Sequence, residues 1–196
     1  MIGECGTKRA MARRTSRPLK ELDEQALGAL ALRYVGRFAT TRFKLGAYLK
    51  RKLRERGWSG AEPADPEAIA ERFAAQGYVD DAAFALAKAR SLAARGYGRR
   101  RLTDTLRHAG VAEDDGAGAR GHAEDEAVGA ALRFAERRRI GPFALVAPAD
   151  PRARGKAREK ALGAMLRAGH GFALARAIVD LAPGAAIDPD ELAMLR

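Results

Sequence analysis

The chain of 196 residues holds one cysteine, Cys5, and one tryptophan, Trp58. A single cysteine excludes an internal disulfide framework and suits a reducing cytosol. Asparagine is absent, and glutamine is limited to Gln25 and Gln76. Base-specific reading of DNA is therefore not expected, because arginine is left as the main side chain able to read base edges. Valine, isoleucine and threonine together number 17, too few for a sizeable sheet, so an all-α fold is expected. No apolar run approaches the roughly 18 residues of a membrane span. The stretch Phe143 to Ala149 is short and broken by Pro148.

Acidic residues are outnumbered, 25 against 36 lysines and arginines, which gives a net charge of +11. Such a balance favours an anionic partner, either nucleic acid or an acidic protein surface. Part of the excess has a simpler origin. Arginine outnumbers lysine 28 to 8 amid abundant alanine and glycine, as codons from a GC-rich genome would give.

One spelling recurs: two apolar residues four apart, glycine four later, then an aromatic or apolar residue. It reads Leu49, Leu53, Gly57, Trp58, then Ile69, Phe73, Gly77, Tyr78, then Leu102, Leu106, Gly110, Val111. Weaker copies end at Gly96–Tyr97 and Gly169–His170. Residues four apart share one helix face. Glycine past the last turn takes the left-handed conformation that ends a helix, and the next residue folds back on it. Each copy therefore spells a short helix, a stop and a docking residue. A shift of 53 residues superposes Leu49 on Leu102, Leu53 on Leu106 and Gly57 on Gly110, the mark of tandem units too small to stand alone.

These signals divide the chain. Residues 1–18 form a basic tail expected to be disordered, with Lys8, Arg9, Arg13, Arg14 and Arg17 against Glu4. Residues 19–78 make a first helical unit, opening with a helix over about 19–37; Thr40 or Thr41 caps the next helix, and Asp65–Pro66 starts the third. Residues 79–112 make a second unit, opened by Asp80 or Asp81 as a helix cap. Residues 113–125 carry alternating glycines and acids and are expected to be a flexible linker, so the second unit's third helix reads as eroded. Residues 126–182 make a third unit, with a further helix start at Asp150–Pro151. Residues 183–196 hold a short helix after Asp188–Pro189.

Catalytic constellations are not evident. His108, His122 and His170 lack zinc-ligand spacing, and no glycine-rich loop ends in the Gly-Lys-Ser/Thr needed to hold phosphate and magnesium. Neither cofactor nor metal is expected, and the chain does not read as an enzyme. The chemistry that remains is positive charge. Lys50, Arg51, Lys52 and Arg54 crowd one helix end, and Arg137, Arg138 and Arg139 close another. Cations there complement the helix dipole without any function. Arg99, Arg100 and Arg101 open a helix instead, at its positive end, which suits capture of phosphate or carboxylate, or a plain solvated face.

The run Gly77-Tyr78-Val79-Asp80-Asp81, then Phe84, Ala87 to Ser91, Arg95-Gly96-Tyr97-Gly98, Arg99 to Arg101, Leu106 and Gly110-Val111 resembles the central unit of the RecX regulatory proteins of bacteria. Ala31 to Val35 resembles the family's opening helix. Arg137 to Phe143 with Met165 to Gly169 and Phe172 to Leu181 resembles its third unit. The resemblance implies an elongated array of three short three-helix units. It also implies a monomer that binds the RecA filament on single-stranded DNA and lowers RecA's ATPase, recombinase and co-protease activity in DNA repair and the SOS response. It carries over no catalytic residue. A direct DNA-binding protein, acting through the basic helix ends, stands beside this reading.

Overall fold

The computed structural model describes residues 20–146 and 148–195. The expected basic tail over 1–18, with Cys5, lies outside the described residues. Among the described residues the chain is all-helical, with ten α-helices, one 3₁₀ turn and a single isolated bridge between Leu22 and Trp58.

The first unit comprises α1 (Glu24–Val35), α2 (Arg42–Arg56) and α3 (Pro66–Ala75). Leu27 and Ala31 of α1, Leu45 and Leu49 of α2, and Ile69 and Phe73 of α3 meet in one core. Helix α1 starts later than the expected residue 19. Leu22 is engaged as extended chain: its N–H donates to Gly57 O at 3.1 Å, and its own carbonyl accepts from Ser59 N at 2.8 Å. Asp23 then caps α1 by accepting from Ala26 N at 2.8 Å.

The glycine-ended helices are real. Gly57, Gly77, Gly96, Gly110 and Gly169 all have positive φ. After four of them the following N–H reaches the carbonyl five residues back: Tyr78 to Phe73, Tyr97 to Leu92, Val111 to Leu106 and His170 to Met165, at 2.9–3.2 Å. Gly57 instead delivers Trp58 to the bridge with Leu22.

The second unit comprises α4 (Asp81–Ala94), α5 (Arg99–His108) and α6 (Glu113–Asp125). Helix α6 overturns the flexible linker expected over 113–125, and with it the eroded third helix. Glu113, Asp114 and Asp115 occupy its first turn, where the positive end of the helix dipole favours acids. Gly116, Ala119 and Ala123 are buried. Ala119 and Ala123 share a core with Ala85 and Ala89 of α4, and the two helices form the most extensive helix pair in the fold. Small side chains let helix axes approach closely. Each interior glycine costs about 1 kcal/mol of helix propensity, and this packing offsets that cost.

The third unit comprises α7 (Ala127–Arg138), a 3₁₀ turn (Gly141–Phe143), α8 (Pro151–Arg167), α9 (Phe172–Asp180) and α10 (Pro189–Ala193). Phe134, Ile140, Met165, Leu174 and Ile178 form its core. Asp65, Asp150 and Asp188 each precede a proline at the first helical position and cap their helices as expected.

The end of one unit's helix docks on its neighbour. At the first joint Thr41 accepts from Lys44 N at 3.2 Å to cap α2, while its hydroxyl donates to Ala109 O at 2.6 Å. A Cβ on Gly110 would fall 2.3 Å from the Phe43 ring. Asp80 caps its own helix through Ala83 N at 2.8 Å. Asp81 is buried and crosses to α2, where it accepts from Arg42 N at 3.0 Å and Arg42 Nε at 3.3 Å. The same guanidinium pairs with Glu71 of α3 and Asp115 of α6. Burial opposes the Arg42 charge, yet the three carboxylates outweigh it and raise its pKa.

The second joint is built from backbone. Gly98 N donates to Ala168 O at 2.9 Å and Arg100 N to Gly169 O at 3.1 Å. A Cβ on Gly98 would lie 2.4 Å from Gly169 O, so this approach requires glycine. His170, 2 % exposed, donates from Nε2 to Gly96 O at 3.1 Å. Burial pushes its pKa down to about 4, against the raising effect of that bond.

Two outcomes follow from the joints. Arg42→Ala strips the buried Asp81 of its counter-charge and should cost about 2–3 kcal/mol. Arg42→Lys should recover less than half, because a single ammonium lacks the fork that reaches several carboxylates. Urea denaturation measures both, and a change within 0.5 kcal/mol (about the range of an ordinary surface substitution) for Arg42→Ala would remove the hub role. For His170 the folded state holds a neutral ring, while the unfolded chain takes up a proton near the ordinary histidine value of 6.5. Its contribution is therefore complete above about pH 6.5 and lost as pH falls to about 4, by about 3 kcal/mol. Denaturation midpoints across that window should fall less steeply in His170→Phe than in the parent. Equal slopes would show that the ring does not titrate at this joint.

Candidate functional site

The cations singled out by sequence divide into engaged and free. On α2, Lys50 pairs with Glu67, Arg51 with Glu55 at 2.9 Å and Lys52 with Glu55 at 2.6 Å. Arg51 and Lys52 also lie over the Tyr48 ring, which stacks on Tyr34 with centroids 4.2 Å apart. Arg54 has no ion-pair partner among the described residues and borders a groove between the first two units, beside Lys50 and Glu71. Most of this cluster is thus a solvated face tied to local acids and one aromatic pair.

At the start of α5, Arg99 pairs with Glu124 of α6 at 3.3 Å, and Arg101 lies over the Tyr97 ring. The amino end of α5 is partly used by the second joint, since Arg100 N already donates to Gly169 O. The Arg100 guanidinium alone of the three has no ion pair or ring contact among the described residues, and Arg100 lines a cavity of about 550 Å³ with Arg99, Asp104 and Glu124. That mixed lining makes a weaker anion site than three consecutive arginines imply.

At the end of α7, Arg137 donates to Arg95 O and Arg138 lies over the Phe134 ring. Arg139 is different. It adopts φ 54, the only positive φ outside glycine among the described residues. Ile140 N then reaches Ala135 O at 2.9 Å. This is the same helix stop as the glycine copies, with arginine in the glycine position.

A further basic element was not singled out by sequence. Residues 151–160, the first half of α8, are all exposed. They carry Arg152, Arg154, Lys156, Arg158 and Lys160 against one acid, Glu159. Arg158 is sealed to Asp180 by two bonds of 2.6 and 2.9 Å, which hold the Asp180 carboxyl below the usual carboxylate range. The other four have no ion pair among the described residues. Arg154, Lys160 and Arg139 border one groove, so the structure brings together cations that lie up to 21 positions apart in sequence. The alternating spacing looks unremarkable in the chain. Only the exposure of the whole half-helix makes it a basic arm.

Among the described residues no group of histidine, cysteine and carboxylates is placed to hold a metal, and no helix is long and apolar enough to cross a membrane.

Known proteins resemble this chain in sequence. Residues 80–119, which span α4, α5 and half of α6, match the family described as RecX, second three-helix domain. The curated Regulatory protein RecX of Myxococcus xanthus (strain DK1622) is 32% identical over 160 residues, covering 78% of this chain and 83% of that protein. A crystal structure of regulatory protein RecX aligns with a TM-score of 0.47 and 21% identity, over 78% of this chain and 75% of that one. At 32% identity to the Myxococcus xanthus protein over most of both chains, and with its second unit matching the family's own, the chain belongs to the RecX family.

Proposed function

We propose that the protein is a non-enzymatic modulator of RecA, acting in the cytoplasm as a monomer that binds the RecA–DNA filament and lowers its activity in DNA repair, recombination and the SOS response. The observation that carries this reading is family membership over most of the chain, to a relative named as a regulatory protein. The architecture supports it. Three small units are held by two side-chain and backbone joints, and each unit carries cations on its surface. A filament is repetitive and polyanionic along its DNA. Linked weak contacts on neighbouring protomers reinforce one another through effective concentration, so the array can act without chemistry of its own.

Direct binding of nucleic acid is the second reading. It is favoured by the exposed first half of α8, where Arg152, Arg154, Lys156 and Lys160 have no acidic partner among the described residues. The readings separate by salt. DNA affinity of the isolated protein would fall by roughly 0.7 to 0.9 log units per log unit of salt for each phosphate contacted.

A single titration tests the filament reading. Added to the cognate RecA on single-stranded DNA, the protein should suppress ATP hydrolysis at sub-stoichiometric amounts. Full hydrolysis at saturating protein would contradict it, whatever the protein's own affinity for DNA.

A further inference from the structure

A groove of about 780 Å³ runs between the end of α7, the chain after Gly141, α8 and the end of α9. Its walls mix two characters. Ile140, Ala161 and Val179 supply an apolar side, and Arg139, Arg154 and Lys160 supply cations. Asp180 also lines it, but its charge is consumed by Arg158. Beside the groove, Leu145 and Val146 are 76% and 81% exposed, the most exposed large apolar side chains here apart from Met194.

Arg139 is the informative residue. A side chain in the left-handed region costs about 1–2 kcal/mol that glycine avoids. Every other positive φ among the described residues belongs to glycine. Keeping arginine there places a cation at the groove against the local preference of the backbone, and strain held at a surface position points to use.

We infer that this groove docks an acidic peptide segment of a partner protein, with carboxylates on Arg139, Arg154 and Lys160 and apolar side chains against Val146 and Val179. Charge complementarity selects the occupant. The chain's own residues 1–19 carry five arginines and lysines before Pro18 against Glu4, and would be repelled. A nucleic-acid backbone would satisfy the cations but leave the apolar wall and Val146 without a partner. An acidic segment with apolar residues at helical spacing satisfies both, in the manner of a helix laid in a groove. The inference stands apart from the filament reading, because peptide capture requires neither DNA nor RecA.

The test uses the full chain and a fluorescein-labelled peptide of about 15 residues, glutamate-rich with leucine at every third or fourth position. Fluorescence anisotropy should show saturable binding. Arg139→Gly should weaken it about fivefold or more, with a thermal midpoint unchanged or higher because glycine relieves the strained backbone. Val146→Asp should weaken it as well. Polyglutamate of equal length should bind about fivefold more weakly. Several results would overturn the inference: no binding; equal affinity in Arg139→Gly; equal affinity for polyglutamate, which would reduce the groove to charge; or competition by single-stranded DNA that Arg139→Gly abolishes, which would assign the groove to nucleic acid. A dimer in sedimentation that dissociates in Arg139→Gly would assign it to a second copy of the chain.

Discussion

A helix of about ten residues does not hold together alone in water, and the helices of this chain run from 5 to 17 residues. Each therefore depends on a neighbour for its stability, and α2, α3, α4, α5, α7 and α8 end in a turn with a left-handed residue that delivers the chain to one. The left-handed residue at that turn does two jobs. It closes the helix, and at Gly96, Gly110 and Gly169 it also leaves a surface without a side chain on which the neighbouring unit sits. Gly96 O accepts from His170, Gly169 O accepts from Arg100 N, and Gly110 lies against Phe43. The stops that make the units are also the contacts that join them. That economy explains how units with cores of a few leucines and alanines form a continuous array.

Charge follows the same logic. Several cations serve the fold as ties between helices. Arg42 ties α2 to carboxylates on α3, α4 and α6, Arg133 bonds Ala93 O and Glu126, and Arg158 locks α8 to Asp180. Unpaired cations are scattered over all three units, and their densest run is on the exposed first half of α8, with Arg139 nearby. The net charge of +11 does not say where the unpaired cations lie; the pairing pattern does. The spare charge lies in the third unit more than at the start of α5.

Much of this was legible in the chain. The all-α class, the helix stops and the aspartate–proline starts follow from local rules, because a cap is decided within a few residues. What failed was non-local. Residues 113–125 read as a linker since glycine and acid are poor helix formers taken alone. Their helix exists because Ala119 and Ala123 pack on α4, which no local rule sees. Arg42 looked like one cation among 36, since its three acids lie 29 to 73 positions away. The stop at Arg139 is not legible locally because arginine stands where the recurring spelling has glycine. The α8 arm escaped because cations at every second position suggest no single face.

The central structural claim is that the second unit is closed by α6 and that the array is continuous through it. Native-state amide hydrogen exchange tests this most directly. Amides of Ala119 and Ala123 should be protected to within about tenfold of those in the buried stretch of α4, and should open together with them. Exchange across 113–125 at the rate of an unstructured chain, while α4 stays protected, would show the interrupted array that the glycines and acids alone imply.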